Sequence, residues 1–344
     1  MGSAHLRPSL SFPEQPGSHG RGACDVHYVN DLAGFVSPAC SPHILGIVSY
    51  DATDLGHLPL ACPRITVPLR PAGAGGPIFE VWTSAAPVTC IRTGPVVGAF
   101  SNELAFGVLT IQEAGNAPLE RAAEDAYLRI FDFLDQTGFH EPVRFWNYLT
   151  AITTDERGLE RYRRFNTGRQ HAFLARLRQN VPPVASCVGG ERGASVIYFL
   201  AARTAAAAIE NPRQISAYAY PPLYGPTSPS FSRASLHGPV GARHFFISGT
   251  ASIVGHETRH AGDLNAQLAE TMANLQTLIG LAGYSGQQQG WAVKAYLRDP
   301  SCQDAVDAAL VSLFGAQSQR LHLHADICRT DLLVEIEACH LQGG

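Results

Sequence analysis

Lysine is almost absent from this chain of 344 residues, which has one lysine, Lys294, against 24 arginines. The glycine-rich phosphate loop of nucleotide-binding proteins needs a lysine after its last glycine, and the sequence has no such motif. A Schiff base or a pyridoxal phosphate linkage would have to form on Lys294 itself. Codon usage explains most of the arginine excess, and the bidentate grip of guanidinium groups on carboxylates gives some of them a further use.

Charged residues of both signs are scarce, at 16% of the chain, and a formal net charge of −4 argues against a broad nucleic-acid surface. The longest apolar stretch, 195–209, is interrupted by Arg203, so no segment predicts a transmembrane helix. The eight cysteines form no C-x-x-C pair, which argues against a zinc knuckle. Because the N-terminus lacks a hydrophobic signal core, we expect a cytoplasmic protein with reduced thiols and no membrane or nucleic-acid partner.

What the sequence does contain is an order of elements that occurs twice. Apolar residues at helical spacing, a glycine and then a strand pattern follow one another at 118–152 and again at 263–297. Gly138 and Gly283 are the natural ends of the two predicted helices. This repetition predicts two related α+β units.

The predicted units differ in what surrounds them. Residues 1–22 are rich in Gly, Pro, Ser and His, and we expect a flexible lead-in. The N-terminal unit is assigned to 23–219, with a helical and loop insertion, and the C-terminal, catalytic unit to 220–344. An arginine-rich helix is predicted at about 158–178. The Pro- and Tyr-rich segment 211–235 has five prolines and cannot be a regular element, so it is either a connector or a wall of a binding site.

Two alternating strands near the C-terminus carry the polar side chains of greatest interest. The strand 332–340 places Glu335 and Glu337 on one face. Either this face is solvated, or it lines an apolar pocket in which one carboxyl has a raised pKa and acts as a general acid. The polar face of the strand 320–328 holds His322, His324, Asp326 and Cys328. A metal on that face is disfavoured, because extended backbone separates successive side chains by about 6–7 Å.

The sequence HETRH at 256–260 matches the zinc motif H-E-x-x-H, which binds zinc only on a helix. Here the next helix is predicted to start near Asp263, so we expect the motif to lie in a loop. A zinc hydrolase that uses His256 and His260 remains an alternative. The glycine-rich stretch 72–77 lacks the helix that follows in a dinucleotide fold and is interpreted as a turn.

The C-terminal 125 residues resemble the RidA/YjgF fold. The segments FISG (246–249) and QLAETMANLQTLIGLAG (267–283), the strand at 290–297 and the closing VEIEA (334–338) occur in the order typical of that fold. The family has an acidic residue at the first Glu of such a closing strand, which is Glu335 here.

About two thirds of the chain resembles, more specifically, the chorismatases, which carry two such units. The segments that carry this resemblance are RFWNYL (144–149), GLERYRRFNTGRQHAF (158–173), IENPRQISAYAYP (209–221), YGPTSPSFSRA (224–234), FISGTASIVGHET (246–258) and CRTDLLVEIEA (328–338). The resemblance implies an α+β fold. Two RidA/YjgF-like units, of the chorismate-mutase-like ferredoxin type, would pack together with mixed sheets and helices on one face.

Chorismatases release pyruvate from chorismate, a dicarboxylate with an enolpyruvyl ether on a cyclohexadiene ring, and the resemblance implies no metal or organic cofactor. By the same resemblance, Glu335 is the acid that protonates the enol-ether methylene. Gly241 and Cys328 fall at the pair of positions that determines the product, and the combination of Gly with Cys resembles the type that makes 3-hydroxybenzoate. The alternatives are a hydrolytic chorismatase that gives a dihydroxycyclohexadiene carboxylate and a non-enzymatic RidA-like binding protein.

The two carboxylates of such a substrate require Arg and Tyr donors. The matching segments supply these as Tyr148, Arg157, Arg213, Tyr218 and Tyr224, with Arg144, Arg233 and Ser230 in reserve. Chorismate is the one partner that we expect, in a monomer or weak oligomer.

Overall fold

The computed structural model describes residues 24–37, 41–50, 55, 61–73, 76–113, 118–179, 181–190, 192–239 and 242–341. The lead-in predicted at 1–22 and part of the turn predicted at 72–77 lie outside these ranges. None of the helices that the structure describes combines the length and the apolar character needed to cross a bilayer.

Four α-helices occur within the described residues: α1 (Leu119–Thr137), α2 (Arg161–Arg176), α3 (Leu264–Leu281) and α4 (Gln303–Phe314). The first three lie where the sequence predicts them. Gly138 ends α1 with a φ of 74°, a left-handed conformation that glycine adopts without strain. Asp263 starts α3, because its side chain accepts a hydrogen bond from the backbone N–H of Ala266. Helix α4 was not predicted from the sequence.

The strands of the described residues are numbered in chain order. They are β1 (Cys24–Val29), β2 (Ile44–Tyr50), β3 (Arg64–Val67), β4 (Arg70–Pro71), β5 (Ile78–Ser84), β6 (Thr89–Thr93), β7 (Val96–Phe100), β8 (Leu104–Thr110), β9 (Glu141–Thr150), β10 (Asp155–Glu156), β11 (Leu159–Glu160), β12 (Val184–Gly190), β13 (Val196–Ala202), β14 (Ala207–Ile209), β15 (Ala234–His237), β16 (His244–Thr250), β17 (Ile253–Val254), β18 (Glu257–Thr258), β19 (Trp291–Leu297), β20 (Gln319–His324), β21 (Asp326–Ile327) and β22 (Val334–Leu341).

Two large sheets have the same topology. The first has the strand order β21-β12-β9-β13-β8-β7-β6. The second, written so that equivalent strands correspond, has the strand order β4-β20-β19-β22-β16-β15-β14. In each sheet one central pair is parallel, β9 with β12 and β19 with β20, and the strands beyond it are antiparallel. Helices α1 and α2 occupy the same places in the chain order of the first repeat as α3 and α4 do in the second. The predicted pair of related α+β units with mixed sheets is confirmed.

A third, smaller sheet repeats the central part of this pattern and was not predicted. Its order is β1-β5-β2-β3, with β2 parallel to β3 and antiparallel to β5. The same order and directions hold for β8-β13-β9-β12 in the first large sheet. The described chain therefore contains three versions of one four-stranded unit, of which the two larger ones have helices.

The three sheets share one core, and the helices lie outside it. Side chains from β1, β2, β8, β9, β13, β19 and β22 meet in one buried cluster between the sheets. A second cluster fills the space between the first large sheet and α1 and α2, and a third fills the space between the second large sheet and α3 and α4. Each large sheet thus has helices on one face, as expected.

The division at residues 219 and 220 remains a prediction, and the strand pairing changes earlier in the chain. Strand β13, which ends at Ala202, belongs to the first large sheet, whereas β14, which begins at Ala207, belongs to the second. Two short strands also cross between units, since β21 joins the first sheet and β4 joins the second.

Candidate active site

A cavity of about 400 Å³ lies between the two large sheets. The first repeat contributes residues of α2 and β12, and the second contributes the ends of β16 and β22 that face them. The Pro- and Tyr-rich segment closes one side through Tyr220, Tyr224 and Arg233. Of the two interpretations of that segment, the structure supports the wall of a binding site.

Glu335 lies near the start of β22 and lines this cavity. The residue is 4% exposed. A Cβ at the neighbouring Gly249 would lie 1.9 Å from Glu335 Oε1, so a side chain there would displace the Glu335 carboxyl group. Within the described residues no hydrogen-bond donor reaches this carboxyl group. Burial, and then the charge of the nearby Glu337, raise the pKa of Glu335 to about 8.

Glu337 is also buried but has the opposite protonation state. Its carboxylate accepts hydrogen bonds from Arg144 Nη2 at 2.7 Å and from Trp146 Nε1 at 2.7 Å, and Lys294 Nζ lies 3.0 Å away. Burial opposes ionisation, but Lys294 and Arg144 outweigh it and hold the pKa of Glu337 below its usual range. The alternative of two solvated strand carboxylates is therefore wrong, because β22 lies inside a sheet whose two faces are both covered.

The single lysine is part of this buried group. Lys294 Nζ also donates to Glu80 Oε2 at 2.9 Å and to the hydroxyl of Tyr198 at 2.6 Å. Burial alone would lower the pKa of Lys294, but Glu337 and Glu80 outweigh it and raise that pKa. A permanently protonated amine is not a nucleophile, so the structure gives Lys294 an electrostatic part and no covalent chemistry.

Two arginines of the cavity have no carboxylate partner among the described residues. Arg169 of α2 is 1% exposed, donates from Nη2 to Asn166 Oδ1 at 2.9 Å and lies over the ring of Phe165. Arg233 is 3% exposed and donates from Nη2 to the Tyr220 hydroxyl at 2.7 Å. The Nε atoms of both are buried without an acceptor. Two buried guanidinium groups without a carboxylate partner can bind an anion that carries negative charge at two places.

A third arginine lies at the mouth of the cavity. The guanidinium of Arg329 lies 4.1 Å from the ring centre of Tyr224 and donates from Nη1 to the carbonyl oxygen of His256 at 2.9 Å. His256 in turn contacts Tyr224 through Nδ1, 3.1 Å from the phenolic hydroxyl. These contacts hold Tyr224 and Arg329 together as part of the wall.

Two thiols lie near each other in the cavity lining. Strands β12 and β21 pair Gly189 with Asp326 and Val188 with Ile327, and Cys187 and Cys328 are the residues next to the last of these pairs. Both residues line the cavity and both are free cysteines. Burial, and then the charge of Glu335, raise the pKa of Cys328 to about 12, so its sulfur is present as the neutral thiol.

Of the candidates from the sequence, Glu335, Cys328 and Tyr224 line the cavity, together with Arg233 from the reserve set. Gly241 lies outside the described residues, so its place as one of the predicted product-determining positions stays a prediction.

Four predicted substrate ligands do not lie in the cavity lining. Tyr148 points into the core between the sheets, where its hydroxyl lies 2.9 Å from that of Tyr296. Arg157 is exposed in the turn between β10 and β11, with a φ of 57°. Arg213 is neutralised by Glu270 of α3, and Tyr218 is 41% exposed. These four residues lie apart from the lining of this cavity, and their contact with a substrate stays a prediction.

The sequence analysis did not single out Arg169 or Arg329. Arg169 stands four residues after Phe165 and four before Phe173, so it occupies the buried face of α2 and not the solvated one. That spacing is a signal that could have identified Arg169 as a buried cation. Arg329 has no comparable signal, because its place depends on the Pro- and Tyr-rich segment that folds over it.

The HETRH motif is not helical. Glu257 and Thr258 form β18, and α3 begins after the motif at Leu264, as the sequence predicts. His256 lies against Tyr224, whereas His260 points to Glu270, with 3.5 Å between His260 Nε2 and Glu270 Oε2. The two histidines therefore do not share a helical face. The described residues contain no cluster of three or more potential metal ligands.

The fold and the cavity together define a class of protein: an α+β protein with two large repeats and, between them, an uncharged carboxylic acid facing unpaired guanidinium groups. Comparisons with known proteins then give the family. A family model described as "Chorismatase FkbO/Hyg5-like, N-terminal" matches residues 80–201. A protein named chorismatase from Streptomyces rapamycinicus is 35% identical over 308 residues, which cover 86% of this chain and 91% of the relative.

Two further matches agree with this assignment. A protein from Streptomyces hygroscopicus named 3-hydroxybenzoate synthase is 33% identical over 319 residues, covering 88% of this chain and 93% of the relative. A crystal structure of a chorismatase superimposes with a TM-score of 0.82 at 29% identity, covering 94% of this chain and all of the other. The chain belongs to the chorismatase family, and it is an enzyme.

Proposed function

We propose that this enzyme converts chorismate into 3-hydroxybenzoate and pyruvate without a metal or an organic cofactor. The observation that carries the proposal is the pairing of an uncharged acid, Glu335, with two buried and unpaired guanidinium groups, Arg169 and Arg233, in one cavity. Chorismate is a dicarboxylate, and two guanidinium groups match its two charges. Its enol ether is the group that requires a proton from an acid.

In the first step Glu335 gives its proton to the methylene carbon of the enolpyruvyl group. The methylene becomes a methyl group, and positive charge develops on the carbon attached to the ether oxygen. Because the pKa of Glu335 is raised to about 8, the carboxyl group is protonated at neutral pH and can act as a general acid. Arg169 and Arg233 are buried, which strengthens their interaction with the two carboxylates relative to the same interaction in bulk water.

In the second step the ring hydroxyl next to the ether attacks the ring carbon that carries the side chain. The electrons of the broken carbon–oxygen bond go to the ether oxygen, which becomes the carbonyl oxygen of pyruvate. The hydroxyl proton returns to the Glu335 carboxylate, so the acid is restored. The arene oxide left on the ring opens to 3-hydroxybenzoate, and no water is consumed.

Cys328 supports the 3-hydroxybenzoate outcome over the hydrolytic one. Its neutral thiol lies on the cavity wall with Glu335, close enough for the Glu335 charge to affect its pKa. We assign to this thiol the direction in which the arene oxide opens. The relative named 3-hydroxybenzoate synthase, which matches 88% of the chain, favours the same product.

Chromatography of the products formed from chorismate tests the proposal. We expect pyruvate and 3-hydroxybenzoate in equal amounts, with no heavy oxygen in the ring product when the reaction is run in labelled water. The Cys328→Ala variant should lose or shift the 3-hydroxybenzoate fraction, whereas Cys90→Ala, at an exposed thiol on β6, should not. A dihydroxycyclohexadiene carboxylate from the unmodified enzyme would establish the hydrolytic alternative instead.

A lack of pyruvate release from chorismate would favour the binding-protein alternative. Loss of activity with a chelator, restored by zinc, would return attention to His256 and His260. Label in the 3-hydroxybenzoate ring would contradict the attack by the ring hydroxyl.

A further inference from the structure

Four charged side chains meet in the core between the three sheets, and we call them the axial cluster: Glu80, Arg144, Lys294 and Glu337. Each is at most 3% exposed. Lys294 bridges the two carboxylates, at 2.9 Å from Glu80 and 3.0 Å from Glu337, and Arg144 contacts Glu337 at 2.7 Å. Two carboxylates and two cations make the cluster neutral, and the contacts leave neither cation free.

Glu335 is a third carboxyl group next to this cluster. It lies two residues from Glu337 in β22 and on the same face, and the rise of a strand separates the Cα atoms of the two residues by about 6–7 Å. The hydroxyl of Ser186 links the two regions: Arg144 Nη2 donates to it at 2.6 Å, and it accepts from the backbone N–H of Gly249 at 2.9 Å. If Glu335 were ionised, this buried group would hold three carboxylates, Glu80, Glu335 and Glu337, and only two cations. The negative charge of Glu335 would then have no cation of the cluster to neutralise it.

We propose that Glu337 is a positioning residue for the catalytic acid: fixed as a carboxylate by Lys294 and Arg144, it keeps the proton on Glu335. This inference rests on the proposed function, in which Glu335 must begin each cycle protonated. It also assigns a task to the single lysine of the chain, which holds the charge of Glu337 in place.

Other titratable and charged groups face Glu335 from each element packed against it. They include Arg144 of β9, Tyr162 and Arg169 of α2, Cys187 of β12, Arg233 before β15, Tyr296 of β19 and Cys328 after β21. The cavity lining also contains the charged residues Asp155, Glu160, Arg163, Arg329 and Asp331. The thiols and phenols are neutral, since burial raises the pKa of each of them. Arg144 and Arg233 favour the charged form of Glu335, and burial with Glu337 outweighs them.

A bound dicarboxylate reinforces this effect. Its two charges pair with the cations of the cavity, so Arg233 becomes less available to stabilise a charge on Glu335. The acid then stays protonated in the complex in which its proton is needed.

The test is the pH dependence of kcat/KM for chorismate in Glu337→Gln, which keeps the shape of the side chain and removes its charge. We expect the fall in activity on the basic side to move to lower pH by about 1–2 units, because one negative charge at this distance acts on Glu335 in a medium of effective dielectric constant near 20. A variant that is merely destabilised would lose activity without moving this limb.

The double variant Glu337→Gln/Lys294→Met is the matched control. It leaves Glu80 with Arg144 and restores neutrality, so the basic limb should return towards its position in the unmodified enzyme. If Glu337→Gln does not fold, Glu80→Gln makes the same change in net charge at a greater distance and should move the limb in the same direction by a smaller amount. An unchanged limb in a folded variant of either kind would overturn the proposal.

Carbon NMR of protein labelled at the glutamate carboxyl carbons measures the pKa of Glu335 directly, without turnover. The Glu335 signal, assigned by its loss in Glu335→Gln, should titrate at lower pH in Glu337→Gln than in the unmodified enzyme. If chorismate is not converted at all, the proposed function fails while this titration still decides the coupling of the two carboxyl groups. If chorismate is converted but the titration of Glu335 does not move, the coupling fails alone.

Discussion

The two large repeats have the same strand order and differ at the position that Glu335 occupies. Strand β13 pairs Val196 with Tyr148, whereas β22 pairs Glu335 with Tyr296 at the equivalent place. The helices that follow β9 and β19 differ as well. Buried positions spaced four apart include an arginine in α2, where they are Phe165, Arg169 and Phe173, and are all apolar in α4, where they are Val306, Leu310 and Phe314. The acid is thus found in a strand of the second repeat, and the buried arginine in a helix of the first.

This comparison places both groups at the cavity between the repeats. The helix with the arginine packs on the first sheet, the strand with the acid lies in the second, and the cavity lies where they face each other. The scaffold is shared, and the proposed chemistry depends on one residue from each repeat that the other repeat does not supply.

Replacing the acid is expected to have the largest effect. Glu335→Gln removes the proton donor and should lower kcat by about 10²–10⁴-fold, with KM changed little. Val196→Ala, at the equivalent position of the first repeat, should cost stability but leave kcat within a few-fold. Steady-state assays of pyruvate release measure both. Equal losses of kcat in the two variants would contradict the asymmetry between the repeats.

Replacing Arg169, the buried arginine of α2, is expected to have the second largest effect. Arg169→Met should raise KM by about 10–100-fold, because a charged hydrogen bond to a substrate carboxylate contributes about 1.5–3 kcal/mol. Arg213→Met removes an arginine that Glu270 already neutralises, and KM should change less than threefold. If Arg213→Met has the greater effect, the assignment made from the sequence is correct and that made from the cavity is not.

A methyl group at Gly249 tests how closely the backbone of β16 packs against the carboxyl group of Glu335. Gly249→Ala places a Cβ on the Glu335 carboxyl and should lower kcat by about tenfold or more, because a displacement of about 1 Å is costly in a catalytic group. Gly280→Ala in α3 meets no atom within 4 Å and should raise the unfolding free energy by up to about 1 kcal/mol. Thermal unfolding and turnover, measured on both variants, separate the two effects.

The last prediction concerns stability in acid and leaves activity at neutral pH unchanged. Burial, and then His237 and His340, lower the pKa of His244 in β16 to about 4 from an unfolded value near 6.5. Between these values the unfolded chain binds the extra proton, so stability falls as the pH falls from about 6.5 to 4, by up to about 3 kcal/mol.

The first repeat has Leu104 at the place of His244, since both are the first residues of equivalent strands. His244→Leu should therefore flatten the loss of stability in acid, with activity at neutral pH retained. Urea unfolding at pH 5 and pH 7 measures this. A variant that loses stability in acid as steeply as the unmodified protein would place the sensitivity elsewhere.

Local patterns were sufficient to locate three of the four helices and the face that Glu335 and Glu337 share, whereas α4 and the third sheet were not predicted. Helical spacing and glycine located α1 and α3, and strict alternation in 332–340 placed Glu335 and Glu337 on one face. The burial of that face was not predictable, because it depends on two other sheets. Lys294, in the apolar run of β19, has its partner Glu80 214 residues away along the chain, and no local pattern encodes such a contact.

The predicted substrate ligands also show that a local sequence pattern does not determine which side chains face the cavity. Several of the segments singled out from the sequence contribute residues to the cavity lining, but which arginine of a segment does so depends on which side of an element faces the cavity. Arg157 and Arg169 both lie in or near one such segment, and the turn conformation exposes the first while the helical register buries the second.

Because the three versions of the four-stranded unit belong to one chain, they can carry different residues at equivalent positions, which three identical subunits could not. At equivalent positions β5, β13 and β22 carry Glu80, Tyr198 and Glu337. In an assembly of identical subunits, threefold symmetry would force three like charges to meet at the axis, and they would repel one another. Joined in one polypeptide, the three units have diverged independently, so opposite charges can neutralise each other at the centre and a single face is left to hold the reactive acid.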